Sequence, residues 1–453
     1  MKDFVMGDRW INQLATLATA NSMVESELYV KYDVKRGLRD LTGKGVLAGL
    51  TRIGDVSAKE IVNGESVPAP GRLIYRGIDI HDLVNGFLDE NRSGYEETCY
   101  LLLFGVQPNA SDLQRFNKLL SRNRTLPKDF IHNCILEWPG RDMMNALARA
   151  VLALYVTDAQ ADDTDIANTV RQSLALIAAF PLMAVYAYQA YAHRYNGKSL
   201  VIHSHSPNLG TAANFLHMLR DDSSYTPLEA QLLDLALVLH AEHGGGNNST
   251  FTTHVVTSTG TDIYSAIAAA LGSLKGPRHG GANIKVVQML DDLKAAVKDP
   301  NDDLAIEDYL SRLLNKEAFD RSGLIYGMGH AVYSISDPRT LIIRDQVRRL
   351  AQEKGMDEEF TFYAKVERLG PQIIADRRKM YKGVSANVDF YSGLLYRLLN
   401  IPVELYTPLF AVSRIAGWCA HRIEEIANRG KIIRPAYNSV VEHIPYLPLN
   451  KRT

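Results

Sequence analysis

Residues 173–192 read SLALIAAFPLMAVYAYQAYA, and what this stretch is decides the fold. At about 20 apolar residues it is long enough to cross a bilayer. Pro181 and Gln189 interrupt it, however, four rings (Phe180, Tyr186, Tyr188, Tyr191) are spread along it, and no second such segment occurs. A helix apolar on every side with these interruptions reads as buried in a core or a subunit interface, kinked at its proline. No membrane is expected.

Outward from this segment, helical spacing recurs in DLVNGFL, YEETCYLLLF, MMNALARAVLALYV, LEAQLLDLALVLHAEH and DIYSAIAAALGSL, with short Gly, Pro and Asn breakers between them. The first forty residues read as an amphipathic helix and a charged connector. Between residues 46 and 75 the texture turns toward β: VLAGLTRI, EIVNG and RLIYRGIDI, separated by Gly, Pro and Asp, predict small hairpins. The class is therefore mainly α, with a minor N-terminal β region. A charge-dense block over residues 291–382 suggests a second, smaller lobe set within a larger one.

The 453 residues, 46% hydrophobic and 22% charged, suffice for a sizeable core. A formal net charge of −1 supplies no field for nucleic acid or an anionic membrane. An anionic ligand must be held by local charges. Three distant cysteines, Cys99, Cys134 and Cys419, form neither a CxxC pair nor an even disulfide set, which favours a reducing compartment. MKDFVMGDRW has no leader pattern, so a cytoplasmic location is expected.

GLRDLTGKG has one residue too many and no Ser or Thr after its lysine, and neither GxSxG nor GxGxxG occurs; P-loop and Rossmann chemistry start low. Histidines appear instead. HAEHGGGNNST at 240–250 sets His240 and His243 three apart at a helix end, a spacing that fits a metal pair or a loop that a ligand approaches closely. GPRHGG at 276–281 puts His279 before a helix start, whose partial positive charge disfavours protonation; a neutral ring there is a cap or a hydrogen-bond donor to an enolate oxygen. YGMGHAVYSISDPR supplies His330 and Arg339, NVDFYSG supplies Asp389 in apolar surroundings, and AVSRIAGW and KIIRPAY supply Arg414 and Arg434. Burial would raise the Asp389 pKa, and an arginine amid apolar residues calls for a carboxylate. The set suits removal of a proton from carbon while a small polycarboxylate is gripped.

In this order the segments resemble the citrate synthase family of the Si type, and RLIYRGIDIHDL, YEETCYLLLFGVQP and MMNALARAVLAL extend the likeness over roughly residues 45–437. The resemblance implies a large helical domain (1–281 plus 401–453) and a smaller helical lid (282–400). It implies condensation of acetyl-CoA with oxaloacetate and water to give citrate and coenzyme A. His279 would polarise the thioester carbonyl, Asp389 would take the methyl proton, and His330 would protonate the keto oxygen of oxaloacetate. His243, Arg339 and Arg414 would bind oxaloacetate. Arg434 would reach the partner's site in a homodimer. No cofactor and no metal are implied. Glycines 280 and 281 are expected to leave room for the thioester.

Many members carry a basic residue where this chain has Ser334. Asn387 and the DRRKMYKG residues Arg377, Arg378, Lys379 and Lys382 are the candidates for coenzyme A contacts, against a solvated basic face. HGGGNN differs from the commoner spelling, without an evident chemical consequence. Within the family the rival is a 2-methylcitrate synthase using propionyl-CoA, since one methyl changes discrimination by only about 1–3 kcal/mol. Outside it, a metal-dependent hydrolase on His240 and His243 or an inactive binding protein are the alternatives.

Overall fold

The computed structural model describes residues 9–40, 45–378 and 383–452. Residues 1–49 and 50–453 form separate compact units. In the first, α1 (Arg9–Ser22) and α2 (Ser26–Lys31) are followed by a 3-10 turn, Arg36–Leu38, all three largely exposed.

The second unit begins with a three-stranded antiparallel sheet, β1 (Gly54–Val62), β2 (Glu65–Tyr75) and β3 (Ile78–Asp79), in sequential order. Asn63 and Gly64 both have positive φ (53° and 84°) and pair Val62 with Glu65, as a two-residue hairpin of right-handed twist demands. Residues 46–53, expected as a strand, are not one: they have no partner in the sheet and are exposed except for Ile53.

The remainder of this second unit is helical. In order come α3 (Ile80–Asp89), α4 (Tyr95–Phe104), α5 (Ala110–Asn123), a π-helical turn Ile131–Leu136, α6 (Met143–Tyr155), α7 (Ile166–Asn196), α8 (Thr211–Leu219) and α9 (Pro227–His240). Then follow α10 (Asn248–Thr257), α11 (Ile263–Lys275), α12 (Ala282–Ala296), α13 (Asp303–Leu314), α14 (Pro338–Glu353), α15 (Asp357–Arg378), α16 (Val388–Leu398) and α17 (Tyr406–Ala427).

The opening stretch lies in α7, where every residue from Leu176 to Ala190 is buried. Its N-cap Asp165 accepts from the Ala167 N–H, Gly197 closes it at φ 68°, and the helix is continuous through Pro181. It is long and apolar enough to cross a membrane, yet 94% of its most apolar window is buried by the chain's own packing. Beside α7 lies α17, buried from Tyr406 to Arg422, which also packs on α4, α9, α10 and α11. An α-helix this enclosed must satisfy any polar residue internally, so Arg414 and His421 on α17 mark where ligands or networks are built. Helices α12 to α16 pack mainly on one another and meet the rest through α17, α9, α3 and β2.

Candidate active site

The site starts where α9 ends. His240 is its last residue, and His243 follows in the loop, buried. α17 approaches that loop because residue 417 is glycine: a Cβ there would lie 2.4 Å from the Ala241 carbonyl oxygen. The approach lets Arg414 Nε donate to the His240 carbonyl, while Nη1 and Nη2 stay buried without a hydrogen-bond partner. Burial lowers the Arg414 pKa to about 10, against the opposing charges of Glu242 and Tyr75. His243 is held neutral, first by burial, then by the charges of Arg339, His330 and Arg414, and its Nε2 is likewise unpartnered. Three buried polar nitrogens without partners are costly. They describe a cradle for an oxygen-rich anion.

Arg339 is the second residue of α14, whose N-cap is Asp337. Nε and Nη2 of Arg339 donate to the two Asp337 oxygens at 3.0 and 2.7 Å, and Asp337 Oδ2 also accepts from the Val388 N–H at 3.3 Å. One buried carboxylate thus fixes Arg339 and the start of α16. His330 stacks on Tyr333 with ring centroids 4.7 Å apart and meets His243 edge-on at 5.1 Å. Its Nδ1 accepts from the backbone N–H groups of Val332 and Tyr333 at 3.0 and 3.2 Å. A nitrogen that accepts carries no proton, so the neutral ring presents Nε2–H as a donor.

His279 lies two residues before the N-cap of α12, Gly281. Its Nε2 accepts from the Ser249 backbone N–H at 3.4 Å and meets Ser249 Oγ at 3.0 Å, and that hydroxyl accepts from Trp418 Nε1 at 3.2 Å. The ring proton is therefore on Nδ1. Its pKa falls to about 4, chiefly from burial and then from the Arg414 charge, rather than chiefly from the helix terminus. At Gly280 the chain itself supplies a constraint, since a Cβ there would strike the Leu274 carbonyl oxygen at 2.6 Å, and at Gly281 the nearest atom is Pro277 Cα at 3.7 Å.

Asp389 sits in the first turn of α16, where the Asn387 side chain caps its N–H at 3.1 Å. Among the described residues no group donates to its carboxylate. Burial raises its pKa to about 6, with Arg339 and Arg414 pulling down and Asp337 pushing up. As a whole residue Asp389 is half-buried.

The sequence from residue 40 to 436 matches the family model described as citrate synthase, C-terminal domain. The chain belongs to the citrate synthase family. A citrate synthase of Haloferax volcanii is 33% identical over 93% of this chain and 99% of its own, and one of Deinococcus radiodurans is 37% identical over 81% and 88%. A 2-methylcitrate synthase of Shewanella oneidensis is 32% identical over 81% and 88%. Among solved structures, the ternary complex of Thermoplasma acidophilum citrate synthase with carboxymethyl coenzyme A and oxaloacetate superposes with a TM-score of 0.75 at 25% identity over 92% of this chain and 99% of that one. The Pyrobaculum aerophilum enzyme gives 0.72 at 29% over 91% and 95%.

Within this member of the citrate synthase family the charges of Arg339 and Arg414 tie His243, His279 and Asp389 into one electrostatic unit, and ring contact adds His330. Arg434 is not brought there; it is exposed beyond α17. Arg377 is exposed at the end of α15, while the Arg378 side chain, Lys379 and Lys382 lie outside the described residues. Asn387 is occupied in capping α16 and in donating to the Gly329 carbonyl at 2.8 Å. His240 donates Nδ1–H to its own helix at Ala236 and packs on Phe410, while its Nε2 is buried without a hydrogen-bond partner; among the described residues the cluster with metal-ligand spacing does not include it. Sequence reading missed Asp337, Ser249, Tyr333 and Glu242. Asp337 was discoverable as the N-cap of SDPR; the other three carry no local signal.

Proposed function

We propose that this member of the family condenses acetyl-CoA with oxaloacetate and water, releasing citrate and coenzyme A. The observation that carries the reading is the buried Arg414 guanidinium, whose free nitrogens stand beside neutral His243 and within the field of Asp389 and His279. A dicarboxylate of oxaloacetate type supplies the missing acceptors. His279 Nδ1–H donates to the thioester oxygen as Asp389 takes the α-proton; base and donor act together because a carboxylate alone is far too weak for a thioester C–H. The enol carbon attacks the keto carbon of oxaloacetate, whose oxygen takes the proton of His330 Nε2. Water then cleaves the citryl thioester, and coenzyme A leaves as the thiol.

Residues 282–400 would act as the lid over the rest, since water would quench the enol. The exposed Arg434 supports a homodimer in which it completes the partner's site. Asn387 and Arg377 remain candidates for coenzyme A contacts, and three unpaired cysteines fit the cytoplasm. No cofactor is needed for these steps. Propionyl-CoA, giving 2-methylcitrate, is the second reading, supported by the Shewanella oneidensis relative. Thiol release with oxaloacetate and either acyl-CoA decides: acetyl-CoA should give the larger kcat/KM, and no thiol from either refutes the reading.

A further inference from the structure

Away from the reacting groups, α10 and α17 bring two histidines face to face. His254 Nε2 lies 3.0 Å from His421 Nδ1. The outer nitrogen of each ring is taken: His254 Nδ1 meets Glu425 Oε2 at 2.8 Å, and His421 Nε2 meets Glu242 Oε1 at 3.0 Å. Ionised carboxylates only accept, so both ring protons lie outward. Two lone pairs then face one another across 3.0 Å, and something positive must stand between them. Glu424 Oε2 points into the same space, 3.9 Å from His421 Nδ1, buried and without a hydrogen-bond partner, while its Oε1 is anchored by the Arg52 N–H at 2.7 Å. A shared proton would serve the two nitrogens but leave that oxygen unpaired. A metal ion serves all three.

We propose that His254, His421 and Glu424 bind one divalent transition-metal cation of the zinc class, with a fourth position left to water. The three donor atoms lie within 4.8 Å of one another, and small side-chain movements bring them to the roughly 3.3 Å spacing of a tetrahedron with bonds of about 2.0–2.1 Å. Glu425 and Glu242 already occupy the positions of carboxylates that orient ligating imidazoles. Gly245 of the HGGGNN loop lies over both rings, its Cβ position 3.6 Å from His421 Cε1 and 3.7 Å from His254 Nε2. Glu242 also accepts from the Gly244 N–H, so the ion would brace the loop that carries His243.

The test is titration of the chelator-stripped full-length protein with Co²⁺, read by the visible bands of tetrahedral cobalt and by stoichiometry. One cobalt per chain is expected. Glu425→Gln should weaken binding roughly 10- to 100-fold, and His254→Gln should abolish the bands. The isosteric Glu424→Gln keeps the site testable if His254→Gln does not fold, and should also lose them. Folded wild type without cobalt bands, or bands unchanged in the folded variants, overturns the proposal and leaves a shared proton between the rings.

Discussion

The Ser249 backbone N–H donates to Nε2 of His279, and a main-chain amide cannot reverse its role. His279 is thereby committed to offering Nδ1–H. His279→Ala should lower kcat by roughly 10² to 10³, as loss of an oxyanion donor does. Oxaloacetate affinity, measured by calorimetry, should stay within a few-fold of wild type.

The pH dependence follows from two perturbed groups. With Asp389 near 6 and His279 near 4, the acid limb of kcat/KM should follow Asp389 and fall tenfold per pH unit below about 6. A limb centred near 4 would assign the base elsewhere. Asp389→Asn should lose about 10² to 10⁴ in rate.

The same carboxyl opposes folding. Its folded pKa is raised, so the folded state binds the proton more tightly, and stability present at low pH is lost as pH rises toward 6. Asp389→Asn should therefore be more stable than wild type at pH 7, by on the order of 2–3 kcal/mol, with the gain vanishing below about pH 4. Denaturant titrations at several pH values measure it.

Arg414→Leu removes both free guanidinium nitrogens. Wild type with oxaloacetate at a hundred times its Kd should gain about 2.7 kcal/mol of stability. The variant should show no such gain in a thermal-shift titration.

Asp337 holds buried Arg339, so Asp337→Ala leaves a lone cation and an uncapped α14. A loss of about 3–5 kcal/mol is expected in urea unfolding. Gly280→Ala should slow turnover by displacing His279 against Leu274, even with a minimal thioester substrate; full activity with small acyl donors would return the constraint to the substrate.

Much of this was legible because it is local. The apolar run of α7, the spacing of α6, α9 and α11, and the Asn-Gly turn between β1 and β2 are set by periodicity and turn chemistry within a few residues. The site histidines stood out because each is embedded in glycines, and Asp389 because its neighbours are apolar. Residues 46–53 misled for the converse reason: β-branched composition makes no strand without a partner edge.

The amino-acid order alone thus determined the helical class and the family and singled out the candidate site residues, all carried by short contiguous patterns. Tertiary structure alone decided the rest. Which nitrogen of His279 holds the proton depends on a serine 30 residues away, and the freedom of the Arg414 head depends on what α9 and α17 leave unpaired. The opposition of His254 and His421, 167 residues apart, exists only because α10 packs on α17. Protonation, pairing and desolvation are properties of surroundings, and surroundings are assembled from distant parts of the chain.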